Sequence, residues 1–303
     1  MNQEAFYKKL CEINGAGSVF EHEPMRRHTT FRIGGPARYF CTPGDTVVLK
    51  STIEACKEAE IPFYILGNGS NVLVSDQGYN GVIVQICRNM AGIDIKGSLI
   101  EADAGILLSR LSQQAASKGL TGLEFASGIP GTLGGALVMN AGAYGGEIKD
   151  VLVSVSVLDR NGGILRLDRR QMKLGYRTSA VQKEGYVVLG ALLELKEGDA
   201  AAINSRMREL KTARSLKQPL EYPSAGSTFK RPEGHFAGKL IMDAGLAGYR
   251  IGGAEVSRKH CGFIINVGGA TAEDVMDLAA HVRDTVFSQT GVSLEMEIKT
   301  LGF

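Results

Sequence analysis

The sequence predicts an α+β fold with a smaller α/β domain at the C-terminus. Up to residue 119, short apolar runs alternate with segments whose apolar residues have helical spacing. From residue 152 to 195 the pattern changes to the period-2 alternation of β-strands, and after residue 210 helix and strand signals alternate again over a shorter stretch. The 303 residues suffice for two domains that each bury their own core.

The N-terminal part of the chain predicts several strands and two helices. Asp45 precedes a run in which Leu49, Ile53 and Cys56 have i, i+4, i+7 spacing, so we expect it to cap a helix. The second helix should end at Gly119, and its apolar face comprises Leu107, Leu108, Leu111 and Ala115. Short apolar runs beside turn residues predict strands at Tyr39–Thr42, Phe63–Leu66, Val72–Val74, Val82–Val84 and Ile100–Ala104.

The rest of the chain predicts a β region and then the smaller domain. Val153–Val157 and Tyr186–Leu195 are predicted strands, and Asn161-Gly162 is a strong hairpin signal. We place the domain boundary in the helical stretch after Ile203, which gives domains 1–207 and 208–303. The second domain should contain a helix at Ala237–Ala244, a strand at Phe263–Asn266, a helix opened by Thr271 with Val275, Leu278, Ala279, Val282 and Val286 on its inner face, and a last strand at Ser293–Lys299.

The composition excludes several classes of protein. A net charge of +2 gives no large basic field, so we expect no nucleic-acid partner. The five cysteines are widely spaced without a C-x-x-C pair, which argues against an iron–sulfur cluster, a zinc site or a disulfide framework. The chain opens without a secretory n-region and has no window of eighteen uncharged apolar residues. We therefore expect a cytoplasmic protein without membrane insertion.

Glycine is the outlier in the composition, and it clusters in a few segments flanked by predicted strands, two of which point to a bound ligand. The 39 glycines are nearly twice the average usage of about 7%. Gly67–Leu73 and Gly128–Gly135, which runs on to Gly142, can each place successive backbone N–H groups around an anion. The start of a helix within Gly131–Gly135 would add its N-terminus. Both segments lack the dinucleotide-binding and P-loop fingerprints. They predict a phosphate-bearing cofactor, and the alternative is a pair of tight structural turns.

These segments and several others, in order along the chain, resemble the UDP-N-acetylenolpyruvoylglucosamine reductase family. The resemblance covers nearly the whole chain and rests on Thr29–Ala37, Gly67–Leu73, Gly128–Ala136 with Met139–Ala143, Tyr176–Ser179, Pro223–Pro232 and Leu294–Ile298. It implies a two-lobed FAD-binding domain of the vanillyl-alcohol oxidase type in residues 1–207, with the lobes divided near residue 90. Residues 208–303 would form the substrate domain, whose last strand returns to the active site.

The resemblance also implies the chemistry. The family uses non-covalent FAD and NADPH to reduce the enolpyruvyl group of a UDP-sugar, which yields UDP-N-acetylmuramate for peptidoglycan synthesis. No obligate protein partner is expected. The residues that match the FAD-binding segments are Gly67, Asn68, Gly69, Ser70, Asn71, Val72, Leu73, Gly128, Ile129, Pro130, Gly131, Thr132, Gly134, Gly135, Ala136, Asn140, Ala141 and Gly142.

Three residues match the family's catalytic positions. Ser227 corresponds to the proton donor, Glu297 to the catalytic glutamate, and Arg177 to the arginine that contacts the substrate carboxylate. Without the family, Ser227 would be an ordinary turn serine and Glu297 a surface glutamate. On a strand Glu295 and Glu297 would point to one face, so only the match selects Glu297.

Four further residues are candidates for substrate binding. Tyr176 adjoins Arg177, and the cations Lys217, Lys230 and Arg231 flank the serine segment, where they can meet the UDP phosphates. A solvated basic face explains these cations equally well. Arg231 also stands where some members have asparagine. The short run from Thr178 to Gly185 leaves little room for a capping loop with a tyrosine, so the chain resembles the shorter subtype of the family.

Two other functions use the same glycine pattern. An FAD oxidase of sugars or alcohols commonly tethers its flavin to histidine or cysteine, and the glycine segments contain neither residue. A flavin- or nucleotide-binding regulator without turnover would not need Ser227, Arg177 and Glu297 together.

Overall fold

The computed structural model describes residues 2–303, which form two compact units. Unit 1 comprises the chain up to Phe20 together with Tyr39–Asn68 and Gly81–Arg214, and unit 2 comprises Glu21–Arg38, Gly69–Asn80 and Ser215–Phe303. The functional division into 1–207 and 208–303 stays a prediction, because compactness alone does not tell what each part binds.

Most of the predicted helices and strands are present in the predicted order, with small differences at their ends. The chain also forms elements that the sequence analysis does not predict, such as the N-terminal helix and the short helix after Ser179. The helices are α1 (Gln3–Asn14), α2 (Thr46–Glu58), α3 (Leu108–Ser117), α4 (Leu133–Met139), α5 (Ala180–Glu184), α6 (Ala200–Lys217), α7 (Ala237–Asp243) and α8 (Ala272–Thr290). The strands are β1 (Val19–Pro24), β2 (Pro36–Cys41), β3 (Phe63–Leu66), β4 (Val72–Val74), β5 (Tyr79–Gln85), β6 (Ile93–Lys96), β7 (Leu99–Asp103), β8 (Leu120–Thr121), β9 (Gly142–Ala143), β10 (Gly146–Glu147), β11 (Leu152–Leu158), β12 (Ile164–Asp168), β13 (Val187–Glu194), β14 (Lys196–Glu197), β15 (Arg250–Ile251), β16 (Ala254–Val256), β17 (Ile264–Asn266) and β18 (Lys299–Leu301).

Unit 1 is built around a five-stranded antiparallel sheet with the order β12-β11-β13-β7-β6. The predicted hairpin is present between β11 and β12, and Gly162 in its turn has φ +81°. Before this sheet, β3 pairs in parallel with β5. As predicted, Asp45 caps α2 by accepting a hydrogen bond from Val48 N at 2.9 Å, and the inner face of α2 is buried. These elements place the first glycine segment directly after β3.

Unit 2 is built around α8. Its predicted inner face is buried, and Thr271 begins the helix with a capping box that Asp274 completes. The antiparallel sheet β15-β16-β17 belongs to the same unit, and β18 pairs in parallel with β4. Because β4 is the end of the first glycine segment, this pairing fixes the segment beside the C-terminal residues.

The prediction of a last strand at Ser293–Lys299 is wrong. The strand is Lys299–Leu301, and the residues before it make only an isolated bridge between Met296 and Phe229. The chain changes partner here, because Lys230 N donates to Glu295 O at 2.8 Å whereas Lys299 N donates to Asn71 O at 2.9 Å. A smaller difference concerns β5, which begins at Tyr79 instead of Val82.

Two properties expected from the composition can be compared with the structure. Within residues 2–303, the five cysteines are free thiols. No helix in this part of the chain combines the length and the hydropathy needed to cross a membrane. Cys56 is buried in α2 together with Leu49 and Ile53, with which it shares the helical spacing.

Asp76 gives the first testable prediction, because its carboxylate caps α8. Its oxygens accept hydrogen bonds from Ala272 N at 2.8 Å and from Glu273 N at 3.2 Å. Asp76→Ala should therefore lower the free energy of unfolding by about 1 kcal/mol in urea titrations. Asp243→Ala, which removes only an exposed i,i+4 ion pair with Lys239, should lower it by less than about 0.5 kcal/mol. Equal losses in the two variants would contradict the capping role.

Candidate functional site

The two glycine-rich segments meet within unit 1. A Cβ atom added at Gly67 would lie 2.5 Å from Thr132 Oγ1, so only glycine allows this approach. Next to it, Asn68 Nδ2 donates to Pro130 O at 2.7 Å, and Gln85 Nε2 donates to Gly67 O at 3.1 Å. The two segments therefore border one site, as a shared ligand requires.

The first segment keeps its backbone amides available. Gly69 has φ +62°, and a Cβ there would lie 2.0 Å from His28 O. The carbonyl oxygen of Gly69 accepts a hydrogen bond from Thr30 N at 3.1 Å. In the described part of the chain, by contrast, no protein hydrogen bond has a backbone N–H of residues 68–71 as its donor. This is the arrangement that an anion-binding loop needs.

In the second segment, the first backbone amides of the helix donate their hydrogen bonds to other groups of the protein. Thr132 is the N-cap of α4, and its Oγ1 accepts from Gly135 N at 3.3 Å. Leu133 N donates to Ile106 O at 2.9 Å and Gly134 N to Ala104 O at 2.8 Å. The expectation that a helix opened within Gly131–Gly135 presents its N-terminus to the phosphates is therefore wrong for these amides, since the neighbouring backbone already accepts their hydrogens.

In unit 2 the remainder of the first segment contacts the segments that contain Ser227 and Glu297. Asn71 Nδ2 donates to Glu297 O at 3.3 Å, while Thr30 Oγ1 donates to Ser224 O at 2.7 Å and Thr30 N holds Gly69 O. Thr30 thus joins Gly69 to the serine segment.

Ser227 and Glu297 lie on two segments that pair with each other. Thr228, which follows the serine, donates its N–H to Gly262 O at 2.8 Å and accepts from Glu297 N at the same distance. Thr228 Oγ1 accepts from Ile264 N at 3.0 Å, and Gly226 has φ +78° with open space around it. The serine hydroxyl is thus presented from a turn that is anchored on its C-terminal side.

Burial distinguishes Glu297 from Glu295, which the sequence pattern alone could not distinguish. Glu297 is only 8% exposed, whereas the side chain of Glu295 is 73% exposed. Residues 293–298 do not form the predicted strand, so the expectation that the two glutamates share a strand face does not apply. The buried glutamate is the one that matches the family's catalytic position.

The predicted phosphate-binding cations have different surroundings. Lys230 forms an ion pair with Glu295. The guanidinium carbon of Arg231 lies 3.9 Å from the centre of the Phe236 ring, and its Nε donates to His235 O at 3.3 Å. Lys217 is exposed at the end of α6. Two of the three cations are therefore oriented by unit 2 itself.

Arg177 lies in a tight turn of unit 1 that borders an open pocket. Gly175 and Thr178 pair across the turn, Arg177 has φ +55°, and its guanidinium carbon lies 5.0 Å from the centre of the Tyr176 ring. The pocket has a volume of about 430 Å³ and is lined by Gly142–Glu147, Lys149, Asp150, Tyr176 and Arg177. A hydrogen bond from Lys149, with smaller contributions from Asn140 and Arg177, lowers the pKa of Glu147.

Sequence reasoning missed Arg214, which packs against the second glycine segment. A Cβ at Gly128 would lie 3.1 Å from Arg214 Cδ, and burial lowers the pKa of the guanidinium. Arg214 is one of several cations on α6, a helix polar on most sides, so no pattern distinguished it. Glu147 was missed for a similar reason, since a single glutamate after a glycine pair carries no signal.

Comparisons with known proteins agree with this geometry. Residues 37–168 match the model of an FAD binding domain, and residues 218–301 match the UDP-N-acetylenolpyruvoylglucosamine reductase, C-terminal domain. A UDP-N-acetylenolpyruvoylglucosamine reductase of Caldanaerobacter subterraneus is 51% identical over 299 residues, which cover 99% of each chain. The reductase of Alkaliphilus oremlandii is 48% identical over 302 residues, or 100% of this chain and 99% of its own.

A solved structure extends the likeness to the fold. The crystal structure of the reductase from Thermus caldophilus matches 92% of this chain and 97% of its own with a TM-score of 0.80 at 37% identity. The predicted fold, an FAD-binding domain with a smaller C-terminal domain, is thereby confirmed. Full-length relatives of this similarity show that the chain belongs to the UDP-N-acetylenolpyruvoylglucosamine reductase family.

Proposed function

We propose that this protein reduces the enolpyruvyl group of UDP-N-acetylglucosamine enolpyruvate with NADPH, which gives UDP-N-acetylmuramate for peptidoglycan precursors. One observation carries the proposal beyond family membership: the segments of Ser227 and Glu297 pair at Thr228, and Asn71 of the glycine segment bonds to Glu297. The step belongs to cell wall biogenesis in the cytoplasm, and hence to cell shape and division.

The glycine segments fit a flavin dinucleotide held without a covalent bond. The amides of residues 68–71 can bind the pyrophosphate, and the close contact of Gly67 with Thr132 shapes the site. When bound, FAD supplies hydride transfer, from NADPH and then to the substrate. The protein's own residues bind and orient the substrate and move the proton.

The three catalytic candidates divide the remaining work. Hydride addition to the terminal alkene carbon places negative charge on the carbon next to the carboxylate. Arg177 can hold that carboxylate through two parallel N–H bonds and stabilise the added charge. Ser227 can protonate the carbon, since even a weak acid protonates so basic a centre. Glu297, buried beside the serine segment, would polarise or protonate the carboxylate region of the substrate as the negative charge develops.

An FAD oxidase is the second candidate, and it is tested by denaturing the protein. A tethered flavin would stay with the precipitated chain, whereas the reductase should release all of its flavin.

Gly67 gives a prediction on cofactor binding. Gly67→Ala places a methyl group against Thr132 Oγ1, and moving that hydroxyl would break the cap of α4. We expect a clear loss of FAD per protein, measured from the visible absorbance after purification. Gly17→Ala is the matched control, because a Cβ there meets nothing within 4 Å. Full FAD content in both variants would contradict the placement of the cofactor beside Gly67.

Ser227→Ala should separate the two half-reactions. Hydride transfer from NADPH does not need the serine proton, so the rate of flavin reduction should stay within about twofold of wild type. Reduction of the enolpyruvyl group should slow by about 10²–10⁴-fold, which is the usual contribution of a general acid. Stopped-flow absorbance measures both rates, and equal second rates would rule out Ser227 as the proton donor.

Glu297 and Glu295 form a matched pair for a further test. Glu297→Gln should slow the enolpyruvyl half-reaction by at least about 100-fold, because the buried carboxyl group is lost where charge develops. Glu295→Gln, at the exposed neighbour, should change that rate by less than about threefold. Steady-state NADPH consumption with substrate suffices as a readout. A larger effect at Glu295 would reverse the assignment.

A further inference from the structure

The turn that carries Arg177 is held in a conformation that its own sequence does not favour. Arg177 has φ +55°, in the left-handed region that non-glycine residues rarely adopt. The turn closes through Gly175 N to Thr178 O at 3.1 Å and Thr178 N to Gly175 O at 3.3 Å. Such a conformation persists only where neighbouring groups hold it.

Two side-chain hydrogen bonds fasten this turn to the end of α4, one on each side. Before the turn, Asn140 Nδ2 donates to Gly175 O at 3.1 Å. After it, Ser179 Oγ donates to Val138 O at 2.8 Å. Gly175 O thus accepts from both Thr178 N and Asn140, which uses both of its lone pairs. Since α4 is part of the second glycine segment, the turn and that segment are joined directly.

The amide of Asn140 is fully engaged by the protein. The residue is 1% exposed and has φ +43°, and its second amide hydrogen goes to Glu147 Oε2 at 3.1 Å. Its Oδ1 accepts from Lys149 N at 3.3 Å. Ser179 is likewise fully buried, and its hydroxyl also accepts from Gln182 N at 3.3 Å. Neither side chain has a hydrogen left for a ligand.

We propose that Asn140 and Ser179 are positioning residues for Arg177, which set where its guanidinium meets the substrate carboxylate relative to the cofactor segment. The role rests on the proposed function. It differs from the sequence prediction that Asn140 binds the cofactor, because the side-chain amide donates both of its hydrogens to Gly175 and Glu147.

Asn140→Asp is the main test variant. Aspartate has the same size and tolerates the left-handed conformation, but its carboxylate cannot donate to Gly175 O or Glu147. We expect the KM for the enolpyruvyl substrate to rise about tenfold, because losing the buried hydrogen bond to Gly175 O releases the turn of Arg177. The rate of flavin reduction by NADPH and the FAD content should stay within about twofold. Asn204→Asp, at an exposed asparagine that bonds only to Ala200 O of its own helix, should leave all three unchanged.

Ser179→Ala provides a second variant that introduces no charge. It removes the bond to Val138 O and should raise the same KM while it spares flavin reduction. If Asn140→Asp does not fold, as judged by its melting curve and flavin spectrum, Ser179→Ala alone decides the question.

A double-mutant cycle with Arg177→Ala separates positioning from general damage. If the two residues act through Arg177, their substitutions should change KM by less than about twofold once the arginine is gone. Equal effects with and without Arg177, or a parallel loss of FAD content, would overturn the proposal. A wild-type protein that consumes no NADPH in response to the substrate would instead remove the proposed function, and the positioning role with it.

Discussion

The close approach of Gly67 to Thr132 is the contact on which the arrangement of the site depends. It brings the loop after β3 against the residues that begin α4, and the bond from Asn68 to Pro130 O reinforces it. A side chain at Gly67 would separate the two segments, because a Cβ atom would lie 2.5 Å from the threonine hydroxyl. The glycine therefore acts by its size alone, since its φ does not lie in the left-handed region.

The two glycine segments have different roles. The second segment supports the structure, and the first keeps its backbone amides for a ligand. In the second segment, Leu133 and Gly134 donate their amide hydrogens to Ile106 O and Ala104 O, so this part of α4 anchors the site to the turn after β7. In the first segment the carbonyl oxygens are held while the amides of residues 68–71 face no protein acceptor in the described chain. The loop proposed to bind phosphate therefore has a shape that its neighbours fix, which limits the entropy lost on binding.

Much of the fold could be predicted because its signals are local. The spacing of apolar residues in α2 and α8, the cap at Asp45 and the hairpin at Asn161-Gly162 each depend on residues close in sequence. The predicted strand at Ser293–Lys299 failed because its pairing depends on two distant partners, Phe229 and then Asn71, between which the chain switches. The choice of Glu297 over Glu295 needed burial, and Asn140 needed the position of Gly175, 35 residues away. Rules based on the spacing of residues along the sequence cannot predict such long-range contacts.

The ion pair between Lys230 and Glu295 orients the lysine and still leaves it able to bind a ligand. The side chain of Lys230 is 27% exposed and that of Glu295 is 73% exposed, and an ion pair open to solvent on one side contributes only about 0–1 kcal/mol because water screens the charges and the side chains lose freedom. A buried pair would hold its lysine far more firmly, since leaving one charge unpaired in the interior costs several kcal/mol. Lys230 can therefore exchange Glu295 for a phosphate oxygen at little cost, and the exposed partner regains water when it does. The pair thus orients Lys230 without removing it from the predicted substrate contacts.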